Sequence, residues 1–175
     1  MIWLWLFLLV MAIFFGLVTF RGAPYVPSKK LYINQALREL YPLSTKDVLV
    51  DIGSGDGVVL REASGIGARA IGYEINPVLV YISRFLSRKD SRVSVRLVDF
   101  WLTHLPDDAT VIYVFSVKRD MKKIIKWAQS ETNRLNRPLY LISFAFELGG
   151  IESIKNVGAY YLYEFHSLQS HEAQV

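Results

Sequence analysis

The chain has 175 residues and a net charge of +4, with 52% hydrophobic residues and no cysteine. That length supports one domain of ordinary size. The lack of cysteine excludes disulfides, thiolate zinc sites, iron–sulfur clusters and a cysteine nucleophile. The mild positive charge suits an acidic membrane surface or a polyanionic partner without selecting either.

Residues 2–20 contain no charged side chain. As a helix, nineteen residues rise about 28 Å, close to the hydrocarbon thickness of a bilayer. Trp3 and Trp5 stand at one end, where amphipathic rings favour the interface. Arg21, Lys29 and Lys30 follow the other end and no basic residue precedes the run. The positive-inside rule then places residues 21–175 on the cytoplasmic side. A cleaved signal peptide would carry a basic leading region, which is missing, although Gly22-Ala23 keeps that alternative open. The expected division is an anchor over 1–21 and a domain over 22–175.

Gly22 to Ser28 is a Pro-containing linker. Ser28 is placed to cap a helix over 29–41, with Leu31, Ile33, Leu37 and Leu40 on its apolar side and Pro42 ending it. Residues 47–53 form an apolar run, predicting a strand covered on both faces. A glycine-rich turn and a helix over 57–64 follow. The next elements in order are a strand over 69–75, a helix over 77–88, a strand over 93–98 and a strand over 110–115. Then come a helix over 117–131 and a strand over 139–146. The aromatic stretch 159–166 is predicted to be an edge strand, with a short strand near 152–157 pairing to it across Gly158. This alternation predicts an α/β fold, doubly wound around a mostly parallel sheet with an antiparallel edge.

The chemistry concentrates in Asp51-Ile52-Gly53-Ser54-Gly55-Asp56-Gly57, between a predicted strand and a predicted helix. Glycines there let the backbone turn sharply and approach a ligand closely. Glu74 closes the second strand, 17 residues after Gly57, where an acid can accept from both ribose hydroxyls. Together these features specify a nucleoside-binding βαβ unit. The spacing Gly-x-Gly-x-Gly departs from the dinucleotide fingerprint, and no Gly-Lys-Ser/Thr follows to make a Walker A loop. A carboxylate at Asp51 suits a cationic amino acid moiety and sits badly beside a pyrophosphate. S-adenosylmethionine, with an ammonium, a sulfonium and no phosphate, fits better than NAD. Asp99 closes the third strand and is followed by Phe100 and Trp101. It can accept from an adenine amino group, or cap the next short helix.

These residues resemble class I, seven-stranded S-adenosylmethionine-dependent methyltransferases with a Rossmann-like fold. Pro24-Tyr25-Val26-Pro27-Ser28, the Asp51–Gly57 loop, Gly72-Tyr73-Glu74-Ile75-Asn76-Pro77 and Asp99-Phe100-Trp101 narrow the likeness. They resemble the membrane-anchored protein-lysine methyltransferases of the mitochondrial ATP synthase c subunit and adenine nucleotide translocase, with their prokaryotic relatives. The resemblance spans roughly residues 20 to 165. It implies that Asp51, Gly53 and Gly55 hold the methionine moiety, Glu74 the ribose, and Asp99 and Phe100 the adenine, with Ser54 also among the cofactor-binding residues. It implies that Pro24 and Tyr25 fold over the cofactor. Tyr25, Tyr113 and Ser116 are candidates to orient the acceptor, and no general base is named. Phe115-Ser116-Val117 lacks the Asn-Pro-Pro-Tyr of amide- and amino-base enzymes, which argues against nucleic acid as acceptor.

The expected activity is methylation of a lysine on a membrane-associated protein, with a small-molecule or lipid acceptor as the alternative, and a non-catalytic nucleoside-binding module as a further one. With no Arg-rich presequence, a prokaryotic inner membrane is the expected location. His104, His166 and His171 show no metal-ligand spacing, so no metal is expected. Lys118, Arg119, Lys122, Lys123 and Lys126 form a basic helix face, read as solvated or as a contact for lipid headgroups.

Overall fold

Val48–Ile52 (β1) is Val-Leu-Val-Asp-Ile and is buried at every position, as a parallel strand covered on both faces requires. This strand lies at the heart of a computed structural model that describes residues 1–9, 30–115 and 118–168. The other strands are Arg69–Glu74 (β2), Val93–Leu97 (β3), Val111–Phe115 (β4), Leu139–Phe144 (β5), Lys155–Val157 (β6) and Tyr160–Phe165 (β7). They form one sheet in the order β3-β2-β1-β4-β5-β7-β6. β1 to β5 run parallel, whereas β7 pairs antiparallel with both β5 and β6. The aromatic stretch is therefore an interior strand, and the short Lys155–Val157 segment is the edge.

Val58–Ile66 (α2) and Pro77–Leu86 (α3) follow β1 and β2, and Met121–Leu135 (α4) follows β4. Between β3 and β4 there is only the 3₁₀ turn Phe100–Leu102. One core packs Leu49, Ala70, Val111 and Tyr113 of the sheet beneath Ile33, Leu37, Leu60 and Val80. The second packs Val50, Ile52, Ile112 and Tyr163 against Met121, Ile124 and Ala128 of α4.

Three expectations change at this level. The helix expected over 29–41 is Lys30–Gln35 (α1), widening into a π-helical turn over Ala36–Leu40. Ile33, Ala36, Leu37 and Leu40 are its buried residues, whereas Leu31 is 74% exposed. Ile33, Ala36, Leu37 and Leu40 already form an i, i+3, i+4, i+7 stripe, which leaves Leu31 on the solvent side. α4 begins and ends four residues later than expected, after a 3₁₀ turn over Lys118–Asp120. Its continuation was hidden because Glu131 and Thr132, both polar, lie on its buried side. Glu131 is accommodated there by hydrogen bonds from Leu105 N–H and Arg134, with His104 Nδ1 at 2.7 Å.

Residues 2–9 are helical and exposed. Among the described residues no helix is long and apolar enough to cross a membrane. The expected anchor runs mostly through residues outside the described ones, as do Pro24, Tyr25 and the capping Ser28.

Candidate cofactor site

The topological switch of the sheet falls between β1 and β4, whose carboxyl ends frame a crevice. The β1 loop turns there through Gly53, Gly55 and Gly57, each with positive φ, a backbone state that glycine adopts without strain. Gly53 and Ser54 both donate their N–H to the Tyr73 carbonyl, at 2.8 and 3.1 Å. A Cβ on Gly53 would meet nothing within 4 Å, so the space over that residue is open to a ligand.

Beneath the loop the packing is tight. A Cβ on Gly72 would come within 2.4 Å of Ser54 Oγ. Ser54 is buried, and its hydroxyl has no hydrogen-bond partner among the described residues. Ser54 thus lies against β2 and supports the loop from below, with its N–H already engaged by Tyr73.

Asp51 is the decisive residue. It is only 3% exposed, and its carboxylate accepts no hydrogen bond among the described residues. Burial pushes its carboxyl well above the usual range, and the charges of Glu74 and Asp56 push it further. A buried carboxylate with two acidic neighbours and no cation beside it among the described residues is a site for a positively charged ligand. It repels a phosphate.

Glu74 is also buried. Its Oε2 accepts from Gly55 N–H at 2.9 Å and its Oε1 from Asn76 N–H at 2.7 Å. Asn76, which stands in the Gly72–Pro77 motif without an expected role, caps α3, its Oδ1 accepting from Val78 N–H at 3.0 Å. Each Glu74 oxygen keeps lone pairs for a ribose hydroxyl.

Asp99 does cap the following 3₁₀ turn, accepting from Trp101 N–H on Oδ1 at 3.0 Å. Oδ2 accepts no hydrogen bond among the described residues, so capping and a ligand contact are compatible. Phe100 packs against Trp101 and Trp127, with centroids 4.3 and 5.7 Å away, and Lys123 Nζ sits 3.8 Å over the Trp101 ring.

Of the acceptor-orienting candidates, Tyr113 pairs in register with Asp51 and is buried in the core, with Tyr160 as hydroxyl and ring neighbour. Tyr25 and Ser116 lie outside the described residues. The described residues hold no cluster of three or more His, Cys, Asp or Glu able to ligate a metal. His104 serves Glu131, and His171 lies outside the described residues.

Residues 51–155, more than half of the chain, match the ANTKMT methyltransferase domain. The chain belongs to this methyltransferase family. It is 33% identical over 111 residues to the ATP synthase c subunit lysine N-methyltransferase of Xenopus laevis, covering 62% of this chain and 48% of that protein. The Homo sapiens enzyme of the same name is 31% identical over 111 residues, covering 62% and 46%. The chain thus spans about half the length of these relatives. An RNA methyltransferase from Salinibacter ruber, solved with S-adenosyl-L-homocysteine, superposes with a TM-score of 0.71 at 27% identity, covering 80% of this chain and 92% of that one.

The cradle of this methyltransferase-family chain fits S-adenosylmethionine. The uncompensated Asp51 suits the cofactor's cationic end, the open side of Gly53 leaves room for it, and Glu74 stands ready for the ribose. Bound there, the cofactor supplies an electrophilic methyl group on a sulfonium.

Proposed function

We propose that this chain is an S-adenosylmethionine-dependent methyltransferase acting on a lysine side chain of a membrane-associated protein. The observation that carries the reading is Asp51, a buried carboxylate without a hydrogen-bond partner among the described residues, in a chain of a methyltransferase family. The lysine acceptor is carried over from the relatives' names, the ATP synthase c subunit being the first protein to try. The apolar run over 2–20, followed by Arg21, Lys29 and Lys30, supports a single-pass anchor with the domain on the cytoplasmic side, in a prokaryotic inner membrane.

The walls of the crevice suit a lysine. Phe115, Phe144 and Tyr160 align in register at the ends of β4, β5 and the start of β7. Their rings stand 5.5 Å apart for the first pair and 4.6 Å for the second. Phe115 lies on the same face as Tyr113 and hence as Asp51. An aromatic wall holds an alkylammonium stem and, by excluding water, favours the neutral amine that must attack. Position and desolvation then suffice, without a dedicated base.

The Salinibacter structure favours RNA as a rival acceptor. Against it stands the Phe115-Ser116-Val117 sequence, which lacks the Asn-Pro-Pro-Tyr of amide- and amino-base enzymes.

The test uses the full chain in lipid nanodiscs with methyl-labelled S-adenosylmethionine. The ATP synthase c subunit, total membrane lipid and total RNA are offered in parallel. Label on a lysine of the protein, lost in Asp51→Asn, is expected. Label on lipid or RNA instead would replace the acceptor. No label on any, with cofactor bound, would leave a nucleoside-binding module.

A further inference from the structure

α3 is apolar on the side that faces away from the sheet. Its buried positions are Val80 and Ser83, followed by Ser87 just past its end; both serine hydroxyls lack a partner among the described residues. Its outward positions are Val78, Tyr81, Ile82 and Phe85, with Tyr81 73% and Phe85 55% exposed. These four follow an i, i+3, i+4, i+7 spacing, a continuous apolar stripe. It covers about 11 Å of helix. A helix packed on a sheet buries such a stripe against the sheet; this one presents it outward. Leu97, on edge strand β3, is also half exposed.

The charge around the stripe has one sign. From Pro77 to Val98 there are five basic residues, Arg84, Arg88, Lys89, Arg92 and Arg96, and one acid, Asp90. Asp90 is occupied locally by Ser64 Oγ and Arg92 N–H. Arg84 is spent on the Val95 carbonyl. That leaves Arg88, Lys89 and Arg92 exposed beyond the end of α3, with the Arg88 guanidinium 4.3 Å over the Phe85 ring; Arg96 lies on the other face of the sheet, over the Tyr73 ring. Apolar and aromatic side chains on one face with a basic rim are the composition of a helix that lies in a bilayer interface.

We propose that this face of α3, with its rim of Arg88, Lys89 and Arg92, seats the domain on an anionic lipid surface. The geometry has a consequence for the site. Asn76, the cap of α3, is held by Glu74, so a docked α3 fixes the cofactor crevice beside the membrane. Docking of this kind depends on the helix face alone, and holds or fails independently of the acceptor and of the N-terminal anchor.

The chain lacks cysteine, so single labels are clean. Tyr81→Cys and Phe85→Cys, at exposed positions, each carry an environment-sensitive fluorophore in the full chain. Glu152→Cys, toward the opposite sheet edge, is the reference. The labelled chains are placed in phosphatidylcholine vesicles with or without phosphatidylglycerol, containing doxyl-labelled lipid as quencher. Blue-shifted emission and quenching at 81 and 85, not at 152, and only with phosphatidylglycerol, are expected. Arg88→Gln with Lys89→Gln should lower the docked-to-undocked ratio about thirtyfold, at about 1 kcal/mol per residue. Labels at 81 and 85 that behave like the label at 152 would overturn the proposal. So would labels that are blue-shifted yet unreached by the lipid quencher, which would mean that protein covers this face.

Discussion

Glu74 Oε2 accepts the Gly55 N–H at 2.9 Å across 19 positions of chain, so the acid that closes β2 also holds the loop that follows β1. Its other oxygen holds Asn76 N–H, and one carboxylate thereby ties the glycine turn to the start of α3. Glu74→Gln keeps one acceptor oxygen and turns an NH₂ toward a backbone N–H. Cofactor affinity should fall by about 10- to 100-fold, the worth of one hydrogen bond to a charged group. Amide exchange at Gly55 should also quicken in the cofactor-free protein. Calorimetry and hydrogen exchange read the two effects. Unchanged exchange at Gly55 would reduce Glu74 to a ribose ligand.

Asp51 is expected to trade stability for binding. Its carboxyl is raised by burial first, then by Glu74 and Asp56. A raised folded value means that the native state holds its proton more tightly than the unfolded chain. Stability from this group is therefore greatest at low pH. It falls as pH rises above the ordinary 3.8 toward the folded value, and stays low beyond. Asp51→Asn keeps the shape and removes the charge. Thermal unfolding of the cofactor-free domain at pH 7 should rise in Tm, while S-adenosylmethionine binding should weaken by about 100-fold. A lower Tm would mean that the charge is compensated in the native state.

The order of elements and the places of the three candidate acids were legible because parallel strands and their loops leave local signals. β1 is apolar throughout, and Asp51, Glu74 and Asp99 each stand at a strand end. The loop's supports were not legible, since they are contacts at long range. Nothing in the local sequence shows that Ser54 lies against Gly72 or that Tyr73 holds two loop amides. The frame of α4 was missed because Glu131 is a buried acid, whose tolerance depends on His104, Leu105 and Arg134. The exposed stripe of α3 was missed for a related reason. Its period is that of an ordinary amphipathic helix, and only the packing of Ser83 shows which side faces inward.

Gly57 carries two demands that a double substitution separates. Its φ is +79°, and a Cβ would come within 2.1 Å of Ser83 Oγ. Gly57→Ala should cost roughly 1–3 kcal/mol from the clash and about 1 kcal/mol more from the left-handed backbone. Ser83→Ala alone should leave Tm unchanged or higher, because its buried hydroxyl has no partner among the described residues. Combined with Gly57→Ala it should recover the clash and leave the backbone cost. If the double variant shows only the sum of the singles, the clash is not what Gly57 avoids.

Asp47 should make the domain acid-sensitive at the base of the sheet, away from the cofactor loop. Burial raises its carboxyl, but hydrogen bonds from Ser44, Tyr41 and Thr110 outweigh that and leave it below the ordinary value. The Ser44 N–H and Oγ lie 2.8 and 2.7 Å from Oδ2. The Tyr41 and Thr110 hydroxyls lie 2.9 and 3.0 Å from Oδ1. This one side chain joins the end of the π-helical turn to the starts of β1 and β4. A lowered folded value gives stability that is present above the ordinary carboxylate value of 3.8 and lost as pH falls through the folded one. Asp47→Asn keeps the shape but sets an NH₂ against donors. It should cost about 1–3 kcal/mol at neutral pH, a fall in Tm of roughly 2–4 °C per kcal/mol at this size. The difference from the parent should shrink as pH falls below about 4, where the carboxylate of the unfolded chain begins to protonate, and should be smallest once pH has passed the lowered folded value. Thermal unfolding followed by circular dichroism between pH 3 and 7 reads both. A penalty that stays constant across that range would show that the hydrogen bonds do not depend on the charge.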